Sequence, residues 1–459
     1  MNWSEISHCP DIKKARLSLK SLSIYRNLLK DKVICKLNAL LDYIDGGEID
    51  LSKSVGLYNN FFFELAACSS ITCLKEYMVD KILYDDNPFS RQAEALDFGS
   101  IDSTVKAAAR NDLSYLYTVS QLSSAYVKSH MLMSSGASGF EKEIIENLPE
   151  WWPDNSAALE IQSQSCCHES IRRLFLLSRD WRECIQHLSE FHKKWGCGIF
   201  ARYKAFVWEH QGGEGYLRGV ENPDPITLSD LIGYEAERSE VINNTLQLLD
   251  GFPANNVLLY GDRGTGKSST VKAILNEYYT QGLRIVEVPK KYLIDFPDII
   301  RKLEGRKQKF IIFCDDLTFG DNEENYTALK AALEGGLENR PRNVVVYATS
   351  NRRHLIKENF SDRAGLHSGN RDDEIRSQDT MQEKLSLADR FGITVVFSSP
   401  DKSKYLEIVE GLAAKRGLKV DKEYLHKEAM KWELWYNGRS PRTARQFIDW
   451  LQWRGSHVH

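Results

Sequence analysis

The sequence is short of several things, and each shortage removes a class of function. No apolar stretch approaches the roughly 18 residues a membrane helix needs, so a role across a membrane is not expected. Met1 to Lys20 mixes polar and charged residues without an apolar signal core, which points to the cytoplasm and away from secretion. Neither charge dominates: 60 Lys plus Arg stand against 64 Asp plus Glu, which argues against an overall field for polyanions. The nine cysteines (Cys9, Cys35, Cys68, Cys73, Cys166, Cys167, Cys184, Cys197 and Cys314) form no paired CxxC knuckle. Cys184 with His187, and Cys166-Cys167 with His168, come nearest to ligand spacing, but reduced thiols are expected there, not zinc. No repeat period is visible.

What is present suits a multidomain globular chain. The 459 residues, 42% apolar and 11% aromatic, correspond to about three folding units. The first half reads as helical. Asp102 to Met133 carries Val105, Ala109, Leu113, Leu116 and Leu122 at helical spacing, and Asp154 to Lys194 continues in the same style after Trp151-Trp152-Pro153. The cluster Gly212-Gly213-Glu214-Gly215, followed by Pro223 and Pro225, reads as a linker. Beyond it, short apolar runs alternate with helical stretches: Val257–Tyr260, Arg284–Val288, Phe310–Phe313, Val344–Tyr347 and Ile393–Phe397. Runs apolar on both faces are the mark of strands buried in a parallel sheet. From Asp401 the pattern is helical again. The expected division is a helical region over 1–220, an α/β core over 221–400 and a small helical lid over 401–459.

The strongest motif is Gly261-Asp262-Arg263-Gly264-Thr265-Gly266-Lys267-Ser268, an unbroken GxxxxGK[ST] between a predicted strand and a predicted helix at Ser269–Tyr279. Glycines let the backbone N–H groups and the helix N-terminus, with Ser269, close on phosphate oxygens. Lys267 adds a charge for the β and γ phosphates, and Ser268 a hydroxyl for Mg²⁺. The run Phe310-Ile311-Ile312-Phe313-Cys314-Asp315-Asp316 then delivers two carboxylates at the end of a buried strand, where ligands of open α/β sheets bind. Asp315 suits the Mg²⁺ shell and Asp316 the polarisation of a water. The cofactors expected are ATP and Mg²⁺. A GTPase is disfavoured because no NKxD motif occurs, and ABC-type transport because no LSGGQ-like stretch does.

The order of these motifs resembles an AAA+ ATPase, and the surrounding wording resembles the bacterial group catalogued as domain of unknown function 815. The resembling stretches are Leu228–Tyr234, Ala254–Tyr260, Phe310–Leu317, Tyr326–Gly335, Tyr347–Leu355, Glu383–Gly392 and Gly438–Phe447. The resemblance implies a three-layer P-loop core with a parallel sheet and a helical lid, and an oligomer acting on a protein or nucleic-acid client. It implies that Asn351 is similar to sensor 1, which orients water, and that Arg390 is similar to the arginine finger offered to a neighbouring subunit. Arg442 resembles sensor 2, with Arg445 a competitor one helical turn away. Ile232 and Gly233, beside Tyr234, would line the adenine pocket. Taken alone, each arginine reads as a solvated surface charge; the order of motifs favours function. One departure is Asp316, where most AAA+ enzymes have Glu. The shorter side chain must sit closer to its water, and the uncharacterised group shares it.

Weaker features have plainer readings. Tyr292 resembles an aromatic pore residue only loosely and reads as packing. The basic run Arg301–Lys309 reads as a solvated turn. Arg352-Arg353-His354 lies beside the γ-phosphate edge, and Ser361–Thr380 reads as a polar insertion ahead of Arg390. Two functions follow: an energy-coupled remodeller or loader that assembles into a ring, and a slow nucleotide-controlled switch that holds a partner on the N-terminal helices.

Overall fold

The computed structural model describes residues 11–47, 50–68, 73–151, 166–317, 329–330, 333, 341–351, 390–436 and 438–456. The insertion at Ser361–Thr380 and the triplet Arg352–His354 lie outside them. The chain forms two compact units, Met1–Arg202 and Tyr203–His459.

The described part of the first unit is helical, and its helices start where short polar side chains satisfy open N–H groups. Asp31 accepts from the N–H of Val33 and Ile34, and Asp102 from those of Thr104 and Val105. The expected continuous helix from Asp102 is in fact two, Ser103–Ser120 and Ser124–Ser135. Between them the buried Leu122 turns its carbonyl to Trp151 Nε1 at 3.0 Å, and Ser123 caps the second helix through Tyr126 N. Trp151 also packs on Tyr58 and Phe61 at ring separations of 5.1 and 5.0 Å. A tertiary bond to one carbonyl therefore overrides the helical periodicity.

The second unit is built on a seven-stranded sheet of order β2-β1-β4-β5-β6-β3-β7. Its strands are β1 Ala205–Gln211, β2 Glu214–Gly219, β3 Val257–Gly261, β4 Leu283–Glu287, β5 Lys309–Cys314, β6 Val344–Ser350 and β7 Ile393–Phe397. Only β1 and β2 pair antiparallel; every other neighbouring pair is parallel. The glycines read as a linker are instead a hairpin turn. Gln211 pairs with Glu214, so Gly212 and Gly213 form a two-residue loop, with φ of 61° and 89°. That left-handed pair is what a type I′ turn requires. The compact units consequently divide after Arg202, not near residue 220, and the segment ahead of residue 220 is not wholly helical.

Helices α1 Glu235–Leu249, α2 Lys267–Tyr278 and α3 Phe296–Leu303 accompany the sheet, followed by α4 Lys402–Lys415, α5 Lys422–Trp435 and α6 Pro441–Ser456. One hydrophobic cluster joins Val241 of α1, Ile274 of α2, Ile311 and Val345 of the sheet, and Ile408, Leu425 and Phe447 of the last three helices. The alternate residues Phe310, Ile312, Val344 and Val346 are buried as well. Burial on both faces is the α/β arrangement expected for parallel strands. No described helix is long and apolar enough to cross a membrane.

Candidate functional site

The sheet brings the motifs together because β3, β5 and β6 run parallel and end at one edge. Cys314 of β5 pairs with Ala348 of β6, and Tyr260 of β3 with Ser350, so Asp315, Thr349, Asn351 and the loop after Gly261 share that edge. The loop Asp262–Gly266 then feeds α2, whose first residues are Lys267, Ser268 and Ser269.

Hydrogen bonds at this edge link most of the expected residues. Lys267 Nζ donates to the carbonyls of Gly261 at 2.9 Å and Asp262 at 2.6 Å, and to Asn351 Oδ1 at 3.2 Å. Lys267 is 6% exposed, and burial lowers its proton affinity against the pull of Asp262, Asp315 and Asp316. Ser268 Oγ and Thr349 Oγ1 each donate to Asp315 Oδ1 at 2.6 Å. Asn351 Nδ2 donates to Asp316 Oδ1 at 2.7 Å, and Lys290 Nζ lies 3.7 Å from Asp316 Oδ2. The Asp262 carboxyl is held low by the side-chain hydroxyl and backbone N–H of Ser399, anchoring the loop to the end of β7.

Two non-glycine residues among those described have positive φ, Asp316 at 52° and Tyr234 at 61°. Such backbone costs on the order of 1 kcal/mol and persists only where surroundings impose it. Asp316 is imposed by its N–H to Thr349 Oγ1 at 2.8 Å and by Asn351. Tyr234 is imposed by its hydroxyl on the Ser398 carbonyl at 2.6 Å and by stacking on Phe397. Both lie at this site.

The lid completes it. A cavity of about 420 Å³ is lined by the loop residues Arg263 to Gly266, by Lys267, Ser268, Ser269, Asp315, Asp316, Thr349 and Asn351, and by Pro441, Arg442 and Arg445 of α6. A smaller one of about 30 Å³ adjoins it, with Ile232, Tyr234, Ile408 and Leu412 among its walls. Gly233, at φ 75°, turns the chain between Ile232 and Tyr234, and its carbonyl accepts from Arg238. Gly261 and Asp262 act through their carbonyls on Lys267 and line neither cavity.

Arg390 is not brought to this cavity: it stands just ahead of β7, outside the lining residues of either cavity. Sequence reasoning missed Thr349 and Lys290; Leu231, which lines both cavities, falls within the stretch Leu228–Tyr234 expected at the adenine pocket. Thr349 carried a signal, a polar residue two before Asn351 at the end of an apolar strand; Lys290 reaches Asp316 from a distant stretch of the chain and carried none. Tyr292 stacks on His210 at 4.3 Å, in keeping with packing. In the basic run, Arg301 pairs with Asp298 and Lys302 donates to the Gly215 carbonyl. No group of three or more metal-ligating side chains is found among the described residues.

A 26S proteasome regulatory subunit 6B homolog of Schizosaccharomyces pombe is 33% identical over 115 residues, 22% of this chain and 29% of that protein. A proteasome-activating nucleotidase of Methanococcus maripaludis is 29% identical over 184 residues, 36% of this chain and 39% of that protein. The chain thus spans well under half the length of these curated relatives. A solved Thermotoga maritima RuvB, described as a Holliday junction branch migration motor, aligns at a TM-score of 0.34 and 18% identity, covering 51% of this chain and 66% of that one. A likeness that low leaves the architecture to be argued from the strand order above. Residues 201–455, more than half the chain, match the family described as Protein of unknown function (DUF815). The chain belongs to that family.

Proposed function

We propose that the protein is a Mg²⁺-dependent ATPase that couples hydrolysis to remodelling or loading of a protein or nucleic-acid client, as an oligomer. The observation that supports this best is the convergence of Lys267, the Ser268–Asp315 pair and the Asp316–Asn351 pair on one cavity. The names of the similar nucleotidases point the same way. The hydroxyl of Ser268 and the carboxylate of Asp315 are hard oxygen donors, a set that fits Mg²⁺. When bound, that ion would neutralise charge developing on the phosphates. Lys267 and the N–H groups opening α2 hold the β and γ phosphates. Asp316, oriented by Asn351, takes up the proton of the attacking water or aligns it. Arg442 serves the terminal phosphate from the lid, and Arg390 that of a neighbouring subunit.

A second reading is a slow nucleotide switch whose N-terminal helices hold a partner. It is favoured by Asp316, whose short carboxylate is tied to Asn351 and lies close to Lys290. Turnover measured against protein concentration separates the two. For the remodeller, phosphate release per chain rises with concentration, and Arg390→Ala removes the rise. For the switch, it stays flat. Lys267→Ala is expected to abolish nucleotide binding in both, and wild-type protein that binds no ATP at millimolar concentration sinks both.

A further inference from the structure

We infer that Arg445 and Arg442 divide the nucleotide between them, Arg445 holding the α-phosphate and ribose end and Arg442 acting at the terminal phosphate. This rests on the ATPase reading above and assigns a role to a residue which that reading leaves idle.

The assignment follows from how α6 is seated. Ser440 caps the helix, accepting from Thr443 N at 3.1 Å, and Arg442 N donates to the Gly264 carbonyl at 3.2 Å. The approach is close: a Cβ on Gly264 would come within 3.0 Å of Ser440 Oγ and 3.1 Å of Arg442 Cβ. A side chain at Gly264 would crowd α6, and its φ of 78° favours glycine besides, while Arg442 is held above the phosphate loop by its own backbone. Residues three apart share a helix face, and the rise of about 1.5 Å per residue puts Arg445 about 4.5 Å further along it.

That step moves Arg445 to a different part of the site. Arg442 lines only the larger cavity, with Lys267, Asp315, Asp316 and Asn351. Its charge is also felt at Lys267, where it opposes protonation of the ammonium. Arg445 lines both cavities, and shares that position with Leu231, Thr265, Gly266 and Pro441. The smaller cavity carries the apolar walls a purine ring would meet, Ile232, Ile408 and Leu412. A guanidinium at the junction of an apolar pocket and a phosphate cavity faces the groups that join base to phosphates. Those groups keep their charge through hydrolysis, so a contact there binds ground state and transition state alike. A contact at the terminal phosphate strengthens as the bond breaks.

The test compares ATP and ADP binding with steady-state hydrolysis on the full chain. Arg445→Ala is expected to weaken ATP and ADP by similar factors, about tenfold each, and to raise KM while kcat stays within about twofold. Arg445→Lys should recover part of the affinity for both nucleotides. Arg442→Ala should leave ADP binding within about twofold and lower kcat by about tenfold or more. The assignment is overturned if Arg445→Ala lowers kcat with ADP affinity intact, or changes neither quantity. Both arginines are exposed, so unchanged melting curves should accompany each variant. Wild-type protein that binds neither nucleotide overturns the ATPase reading itself, and is told apart because no variant is then needed.

Discussion

The helical unit and the motor unit both bury polar side chains, and the difference lies in what those side chains face. In the helical unit Asp112, 1% exposed, accepts from the N–H groups of Ser23, Ile24 and Tyr25. Ser90 and Asn87 exchange bonds with each other's backbone in a capping box. These groups are bonded to backbone and to side chains of their own unit, Asp112 also to the Ser23 hydroxyl and Asn87 also to Asp85. In the motor unit some buried polar groups are spent on backbone in the same way, Asn343 and Asn256 among them, but Lys267, Thr349 and Thr265 surround an open cavity beside Asp315 and Asp316. A buried polar group spent on backbone holds a fold; one aimed at other ionisable groups around open space is arranged for chemistry.

The largest effect that can break this contrast is at Asp316. Asp316→Asn keeps the shape and the Asn351 neighbour but removes the base, so phosphate release is expected to fall about 100-fold. Binding of a fluorescent ATP analogue should stay within a few-fold of wild type, and the melting temperature should hold. If the variant melts early instead, Asp316 belongs with the structural carboxylates of the first unit and the contrast fails.

The converse substitution is Asp112→Ala. It leaves the backbone N–H groups of Ser23, Ile24 and Tyr25 without their acceptor, that of Tyr25 in a buried position. A loss of about 3 kcal/mol in urea denaturation is expected, with kcat per folded molecule unchanged. A variant that keeps its stability but loses turnover would place Asp112 in the function and not in the fold.

How much of this could be read from the sequence depended on whether a signal was local. The strand Ile393–Phe397 is legible to the residue because its β-branched run ends in the buried Val395 and Phe397, although as an edge strand it leaves Thr394 and Val396 exposed. The phosphate loop is legible because its glycines and Lys267 follow one another. The hairpin Ala205–Gly219 was not. Its glycines look like a linker until the partner strand is known: a Cβ on Gly215 would sit 2.2 Å from the Trp208 ring, and one on Gly219 2.2 Å from the Tyr203 ring. Those glycines make room for aromatic side chains, and register, not composition, explains them. Thr349 reaches Asp315 from β6 and Lys290 lies near Asp316 from the helical turn after β4, so only the sheet order reveals them. The position of Arg390 relative to a neighbouring subunit lies beyond one chain altogether.

The smallest effect, and the finest test of the contrast, concerns two titratable groups that the helical unit buries with opposite consequences. His192 is fully buried, its Nδ1 paired with the Gly196 carbonyl at 3.0 Å and its Nε2 without a hydrogen-bond partner among the described residues. Burial lowers its pKa to about 4, against the smaller opposing effects of Gly196 and Asp86. Asp85 moves the other way, to about 6, mainly through burial, with the Asn87 hydrogen bond opposing. Between pH 6.5 and 4 the unfolded His192 binds more protons than the folded one, so acid weakens the fold. Between pH 6 and 3.8 the folded Asp85 binds more than the unfolded one, so acid strengthens it. The two nearly cancel in the wild type, which should show little net pH dependence from this pair. Single variants uncover each part. The stability advantage of wild type over His192→Leu should shrink by about 2 kcal/mol from pH 7 to pH 4, and that over Asp85→Asn should grow by a similar amount. Nucleotide affinity at pH 7 should be unmoved in both. If either variant shifts it, a buried polar group of the helical unit is tied to the motor's chemistry, and the division between holding a fold and serving a ligand does not follow the boundary between the units.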